Sequence, residues 1–194
     1  MKHFHFLAHG LDVDPLVLKI RQNPHLWEED DYLRKYPQGP FGEVESIMLR
    51  FPKKLGVIPD EDLELYKKNM LAGYDQHESI DYPAYSVLLE ARPLVMTLMA
   101  RVQGERLGRV MINKVKPGGR IFPHEDTPEH VSYYKRYHIV LQGFPGAVLK
   151  CADEQIDMRT GDCFWFNNAL MHEVINNSAD ERWSMVVDIH TSRP

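Results

Sequence analysis

From residue 109 to residue 190, apolar side chains fall into short runs. Many alternate with polar residues, and each run is bounded by turn-formers. A period of two places successive side chains on opposite faces of an extended chain, so these runs predict strands. Eight are expected, over 109–116, 120–124, 137–143, 147–151, 155–159, 162–167, 171–176 and 182–190. The breaks are Pro117-Gly118-Gly119, Gly143 to Gly146, Asp153-Glu154, Thr160-Gly161 and Asn176 to Asp180, all rich in residues that favour turns. Eight short, closely spaced strands predict a sandwich or barrel, and eight is the strand number of a double-sheet jelly roll.

Before about residue 105 the texture differs, and helical signals dominate. Asp14 followed by Pro15 reads as an N-cap and first helical position. Residues 60–70 carry acids early and lysines late, the arrangement a helix dipole favours. Residues 82–104 are apolar on a helical period, and Pro93 is expected to break them into two pieces. A short strand is expected over 43–50. The fold class predicted is α+β: one domain spanning 1–194, with a mainly helical part (1–105) packed on a jelly-roll core (106–194).

Composition narrows the picture. With 194 residues, 43% hydrophobic and 26% charged, the chain suits one globular core rather than a disordered or fibrous protein. A net charge of −5 gives no global signal for nucleic acid, and Lys114 to Arg120 is a short basic stretch within apparent strands. Met1 to Gly10 lacks the long apolar segment of a secretory signal, and the most apolar run, 93–100, is far below the roughly 20 residues of a membrane span. No nucleic-acid or membrane partner is expected. Cys151 and Cys163 are expected to be reduced thiols of a cytoplasmic protein.

Candidate chemistry begins at His124-Glu125-Asp126, at the end of the second expected strand of this half. In an extended chain His124 and Asp126 share a face and Glu125 points away. A third ligand is expected from a later strand, and His172, after Phe164-Trp165-Phe166-Asn167-Asn168, is the best placed. Two histidines and one carboxylate form the facial triad of non-haem iron(II) oxygenases, which leaves coordination positions open for a chelating co-substrate and O2. Arg182 opens the last strand, with Ser184 two residues on and on the same face. A buried guanidinium there, with the Ser184 hydroxyl beside it, would grip the far carboxylate of a dicarboxylate chelating the iron.

The runs PGGRIFPHED, RYHIVLQG and GDCFWFNNALMHEVINNSADERWSMVVDIH together resemble the aspartyl/asparaginyl β-hydroxylase family of Fe(II)/2-oxoglutarate oxygenases. The resemblance covers roughly 109–190. It implies a double-stranded β-helix, the jelly roll expected above. It implies iron at His124 and His172, and 2-oxoglutarate at Arg182. It places His138 in contact with the co-substrate, and Asn113 where relatives carry a serine near the co-substrate, with an amide that can still donate a hydrogen bond. Asp126 supplies a carboxylate that some relatives lack.

The function expected is a 2-oxoglutarate-dependent dioxygenase using Fe(II), 2-oxoglutarate and O2 to hydroxylate an amino acid or an amino-acid residue of a peptide or protein. Two alternatives stand beside it: a cupin-like metalloenzyme that does not use 2-oxoglutarate, and a non-catalytic jelly-roll binding module. No catalytic residue beyond the metal ligands is expected. His3, His5 and His9 read as a strand edge, and His190 as a core or rim residue. Phe164, Trp165 and Phe166 read as core, and Glu173 as structural. Trp27, Arg34 and Arg50 read as surface or packing residues.

Overall fold

All eight strands expected after residue 105 form, and three others precede them. The computed structural model describes residues 1–35, 39–56 and 58–192. In chain order the elements are β1 (Phe4–Ala8), α1 (Asp14–Gln22), a 3-10 turn (Pro24–Trp27), α2 (Tyr32–Lys35), β2 (Val44–Phe51), α3 (Asp60–Lys67), β3 (Ile80–Asp81), α4 (Ala84–Val87), α5 (Ala91–Arg101), β4 (Arg106–Val115), β5 (Arg120–His124), α6 (Pro128–Tyr133), β6 (Lys135–Gln142), β7 (Ala147–Cys151), β8 (Glu154–Asp157), β9 (Cys163–Phe166), β10 (His172–Asn176) and β11 (Arg182–His190).

Among the described residues the strands make two sheets. A larger one runs β1-β9-β6-β11-β4-β2-β3 and a smaller one β5-β10-β7-β8, with antiparallel pairing throughout. This is a double-stranded β-helix extended at both edges of its larger sheet. The N-terminal part therefore supplies more than helices: β1 closes one edge against β9, and β2 and β3 extend the other beyond β4.

Alternation along the larger sheet separates two cores. Outward-facing Ile112, Ile139, Met185 and Val187 meet Leu16, Ile20, Val95 and Leu98 of α1 and α5. Inward-facing Val115, Val140, Phe164 and Phe166 meet Ile121, Leu149, Ile156 and Val174 of the smaller sheet. Burying these apolar side chains is the main force holding helices to sheet and sheet to sheet. A third cluster, Met48, Phe51, Met111 and Val186, lies at one end of the sandwich, beside the site.

Several local expectations are corrected. Pro93 does not break its helix. It is the third residue of α5, in the first turn, where an absent N–H costs nothing; the break falls earlier, between α4 and α5. Asp14 is not a side-chain cap: the Asp14 backbone N–H donates to the Asp12 carboxylate at 3.2 Å. α3 stops at Lys67, and Asn69 turns the chain in the left-handed region (φ 55). Its side chain then holds the next loop by bonds to Asp75 and Gln76.

Candidate active site

The inner face of the larger sheet presents polar side chains in register. On β11 the inward residues are Arg182, Ser184, Val186 and Asp188, alternating with the outward core residues Trp183, Met185, Val187 and Ile189. Ser184 lies opposite Asn113 on β4, and Asn113 opposite Ser46 on β2. Val186 lies opposite His138 on β6, and Asp188 opposite Arg136. Polar groups thus run from one end of the face to the other across an otherwise apolar interior, which is costly unless each is satisfied or reserved for a ligand.

Facing them, the smaller sheet brings His124 opposite His172 in the β5–β10 pair. Their rings are 4.2 Å apart, centroid to centroid. One ligand atom from each of His124, Asp126 and His172 lies within 4.8 Å of the others. Among the described residues, no other set of three or more His, Cys, Asp or Glu side chains is so placed. The histidines are prepared alike. His124 Nδ1 bonds the Phe122 carbonyl and His172 Nδ1 the Leu170 carbonyl, both at 2.8 Å. A proton on Nδ1 leaves Nε2 as the lone-pair atom, the usual way a protein fixes a metal-binding tautomer. Burial pushes His124 down, and burial with the charge of His124 pushes His172 down to about 4, so both are neutral at physiological pH.

Asp126 lies beyond the end of β5. Its backbone N–H donates to the Asn168 carbonyl at 3.1 Å. Its Oδ2 accepts from Arg136 Nη1 and from Asn168 Nδ2, both at 2.6 Å, which leaves Oδ1 for a ligand. Burial alone would raise the carboxyl, but the Arg136 charge and the Asn168 bond outweigh it and hold it below its ordinary value. Arg136 also donates Nε and Nη2 to the two oxygens of Asp188, at 2.8 and 3.0 Å. His130 closes this buried chain, with Nε2 3.0 Å from Asp188 Oδ2.

Arg182 is 1% exposed. Its Nε contacts the Met158 sulfur at 3.2 Å, and both of its Nη atoms are buried without a hydrogen-bond partner. Burial draws its proton affinity down to about 9. It is not a surface arginine paired with Asp180 or Glu181. His138 lines the cavity that holds the triad, bonds Ser184 Oγ through Nδ1 at 2.9 Å, and is held well below its ordinary value by burial and by the Arg182 charge. Ser184 is thus a buried support for His138, and no Arg182–Ser184 bond forms. Asn113 lines the same cavity; its Oδ1 accepts from Ser46 Oγ at 2.8 Å, so its donor end is what it offers a ligand.

The remaining histidines stay apart. His3 pairs with Asp153 and His9 with Asp162, while His190 stacks on Tyr133. Glu173 faces out and pairs with Arg120 and Lys150. Trp27 packs on Trp183, Arg34 is exposed, and Arg50 pairs with Asp81. Both cysteines are free and buried, with burial pushing Cys163 up to about 12. Sequence reasoning missed Arg136, Asp188 and Asn168, which hold Asp126. It also read Phe166 as core only, whereas the ring packs edge-on against His172 at 4.9 Å and lines the cavity. Arg136 and Asp188 did carry a signal, as opposite charges inside two strongly apolar strands.

A family model for aspartyl/asparaginyl β-hydroxylases matches residues 64–192, reaching into the N-terminal part. No curated protein is significantly similar in sequence. Among solved structures, the viral collagen prolyl hydroxylase of Paramecium Bursaria Chlorella virus-1, in a 2-oxoglutarate complex, aligns with 97% of this chain and 96% of its own at 11% identity and a TM-score of 0.55. A Pseudomonas putida prolyl-4-hydroxylase aligns with 97% of this chain and 92% of its own at 14% identity and a TM-score of 0.52. At these identities the two structures speak to the shared fold.

Proposed function

Since the chain belongs to the aspartyl/asparaginyl β-hydroxylase family, we propose that it is an Fe(II)- and 2-oxoglutarate-dependent dioxygenase. Its proposed reaction is hydroxylation of an amino acid or of an amino-acid residue in a peptide or protein. Bound iron, with 2-oxoglutarate and O2, supplies the oxidising power for placing one oxygen atom in a C–H bond, the other leaving in succinate as CO2 is released.

The observation that carries this reading is Arg182. Its two Nη groups are buried without a hydrogen-bond partner, and a buried donor without a partner costs about 1–3 kcal/mol, more when charged. A carboxylate accepting two parallel N–H bonds would remove that cost. The cupin-like alternative leaves Arg182 without a task.

The donor set fits Fe(II): two neutral imidazoles with fixed tautomers and one carboxylate oxygen, on one side of a cavity. His124, Asp126 and His172 would hold the metal. Arg182 would anchor the far carboxylate of 2-oxoglutarate. His138, oriented by Ser184, and the Asn113 amide would line the co-substrate between them. Arg136 and Asn168 keep Asp126 ionised and aimed. Phe166, Ile121 and Val174 provide apolar walls that keep water from the reacting atoms.

Two buried free thiols suit a reducing compartment and support a cytoplasmic location. No helix among the described residues is long and apolar enough to cross a membrane.

The test is turnover. Protein reconstituted with Fe(II) should form succinate from 2-oxoglutarate when offered the right member of an amino-acid and peptide panel, giving a product heavier by one oxygen atom. His124→Ala should abolish both signals. Succinate formation unchanged in His124→Ala would count against the metal assignment.

A further inference from the structure

We propose that the outer face of α5 is a dimer interface, on which a second copy of this chain packs its own α5 antiparallel about a two-fold axis. The inference is independent of the oxygenase reading, because this face lies behind the larger sheet, away from the metal triad.

α1 and α5 cover the outer side of the larger sheet without closing over it. Between α5 and the segment leading into α1 runs a groove of about 370 Å³. Well-packed interiors hold few voids larger than a water molecule, so a space of this size is no packing defect. Its walls are Leu94 and Leu98 of α5 with Leu11 and Leu16 opposite, and its floor is Ile139 and Cys163, which are partners in the β6–β9 ladder.

The pattern along α5 sets the groove's polarity. Glu90, Leu94, Thr97, Leu98 and Arg101 all line it and recur at spacings of three and four, so they share one helix face. Glu90 stands at one end of this stripe and Arg101 at the other, roughly 16 Å apart along the axis. Beside the stripe the helix turns more apolar side chains to solvent. Leu89 is 51% exposed and Met96 55%, and Pro93 and Ala100 are exposed too. A surface helix ordinarily carries charged or polar residues there. An apolar ridge running beside an apolar groove fits a partner of the same shape, each ridge entering the other's groove.

Charge identifies the partner. Among the described residues neither Glu90 nor Arg101 has an ion-pair partner, and Glu90 Oε2 is buried without a hydrogen bond. Asp12, the groove's remaining charge, already accepts from the Asp14 N–H at 3.2 Å. The acid and the base lie equally far from the middle of the stripe, which falls between Leu94 and Thr97. A two-fold axis there brings each Glu90 to the other copy's Arg101. The surface is thus complementary to itself, as a two-fold contact requires. Exposed ion pairs add little affinity; apolar burial supplies it, and the charges fix the antiparallel orientation.

The test is association with charge exchange. Sedimentation velocity of the full chain over a range of concentrations should show a concentration-dependent species of twice the chain mass. Glu90→Arg or Arg101→Glu alone acts twice in a two-fold dimer and should raise its Kd about tenfold or more. The double variant should recover the wild-type Kd, because both pairs re-form with their signs exchanged. A chain that had merely misfolded would not be rescued in this way. Met96→Glu, on the exposed ridge, should also prevent association. A wild type that stays monomeric would overturn the proposal and leave the groove to a small apolar ligand. A dimer indifferent to the single reversals, or no recovery in the double variant, would overturn it as well.

Discussion

Arg136 Nη1 donates to Asp126 Oδ2 at 2.6 Å while the other edge of the same guanidinium grips Asp188. The carboxylate proposed to hold the metal is thus fixed by an arginine that is itself fixed from the neighbouring strand. Of the two Asp126 oxygens, one is fully occupied by Arg136 and Asn168 and the other is turned to the cavity. The triad's geometry therefore depends on a buried charge chain running away from it, through Asp188 to His130.

Breaking that chain should cost both stability and metal. Arg136→Gln leaves Asp126 and Asp188 buried without their counter-charge, at a cost of about 3–5 kcal/mol. Asn168→Ala removes one bond to Asp126 and should lower metal affinity about tenfold or more, with a far smaller loss of stability. Chelator competition for the metal and thermal melts of the metal-free proteins check the two effects separately.

Arg182, the proposed anchor of the co-substrate, is held at the expense of the fold. Replacing it with Met should raise the stability of the metal-free protein by about 1–3 kcal/mol, because a buried charge without a partner is removed. The same variant should lose the thermal stabilisation that 2-oxoglutarate gives the wild type. Melting curves of both proteins with and without the co-substrate make the comparison; a less stable Arg182→Met chain would contradict it.

Acid should destabilise the metal-free protein through His172. Its folded pKa is lowered by burial from 6.5 to about 4, so the unfolded chain takes up the proton first. The sign follows: this contribution is complete above the unfolded pKa and is lost as pH falls through 6.5 toward 4, by roughly 3 kcal/mol in total. Wild type should therefore lose more stability over that interval than His172→Gln. Denaturant titrations at several pH values, without metal, measure the difference.

Gly143 is a packing requirement rather than a flexible link. A Cβ there would stand 1.9 Å from the Met158 carbonyl oxygen, and Met158 carries the sulfur against which Arg182 rests. Gly143→Ala should destabilise the fold by about 1–3 kcal/mol and weaken 2-oxoglutarate binding without altering the metal ligands. Denaturant melts and co-substrate titrations test both parts.

Much of this site was legible in the sequence because its signals are local. His124 and Asp126 lie two apart at a strand end, and Arg182 and Ser184 two apart on another, so a period of two suffices to align them. The Arg136–Asp188 pair is set by the register between β6 and β11, which no local pattern encodes. The role of Ser184 shifted for the same reason: it faces the cavity side as expected, yet its hydroxyl is committed to His138. β2 was legible as a strand, but nothing in residues 44–51 announces that it pairs with β4. Pro93 misled because a proline at the start of a helix and one in its middle look alike until the helix boundary is known.

The most direct test of the central claim needs no substrate. Metal-free protein is titrated anaerobically with Fe(II) and then with 2-oxoglutarate, while the visible metal-to-ligand charge-transfer band is followed in wild type, Arg182→Ala and His124→Ala. Wild type should give a band that saturates at a single equivalent of each, and both variants should give a weaker one. Metal binding without a band, or a band unchanged in Arg182→Ala, would contradict the assignment of His124, Asp126, His172 and Arg182 to one iron and 2-oxoglutarate site.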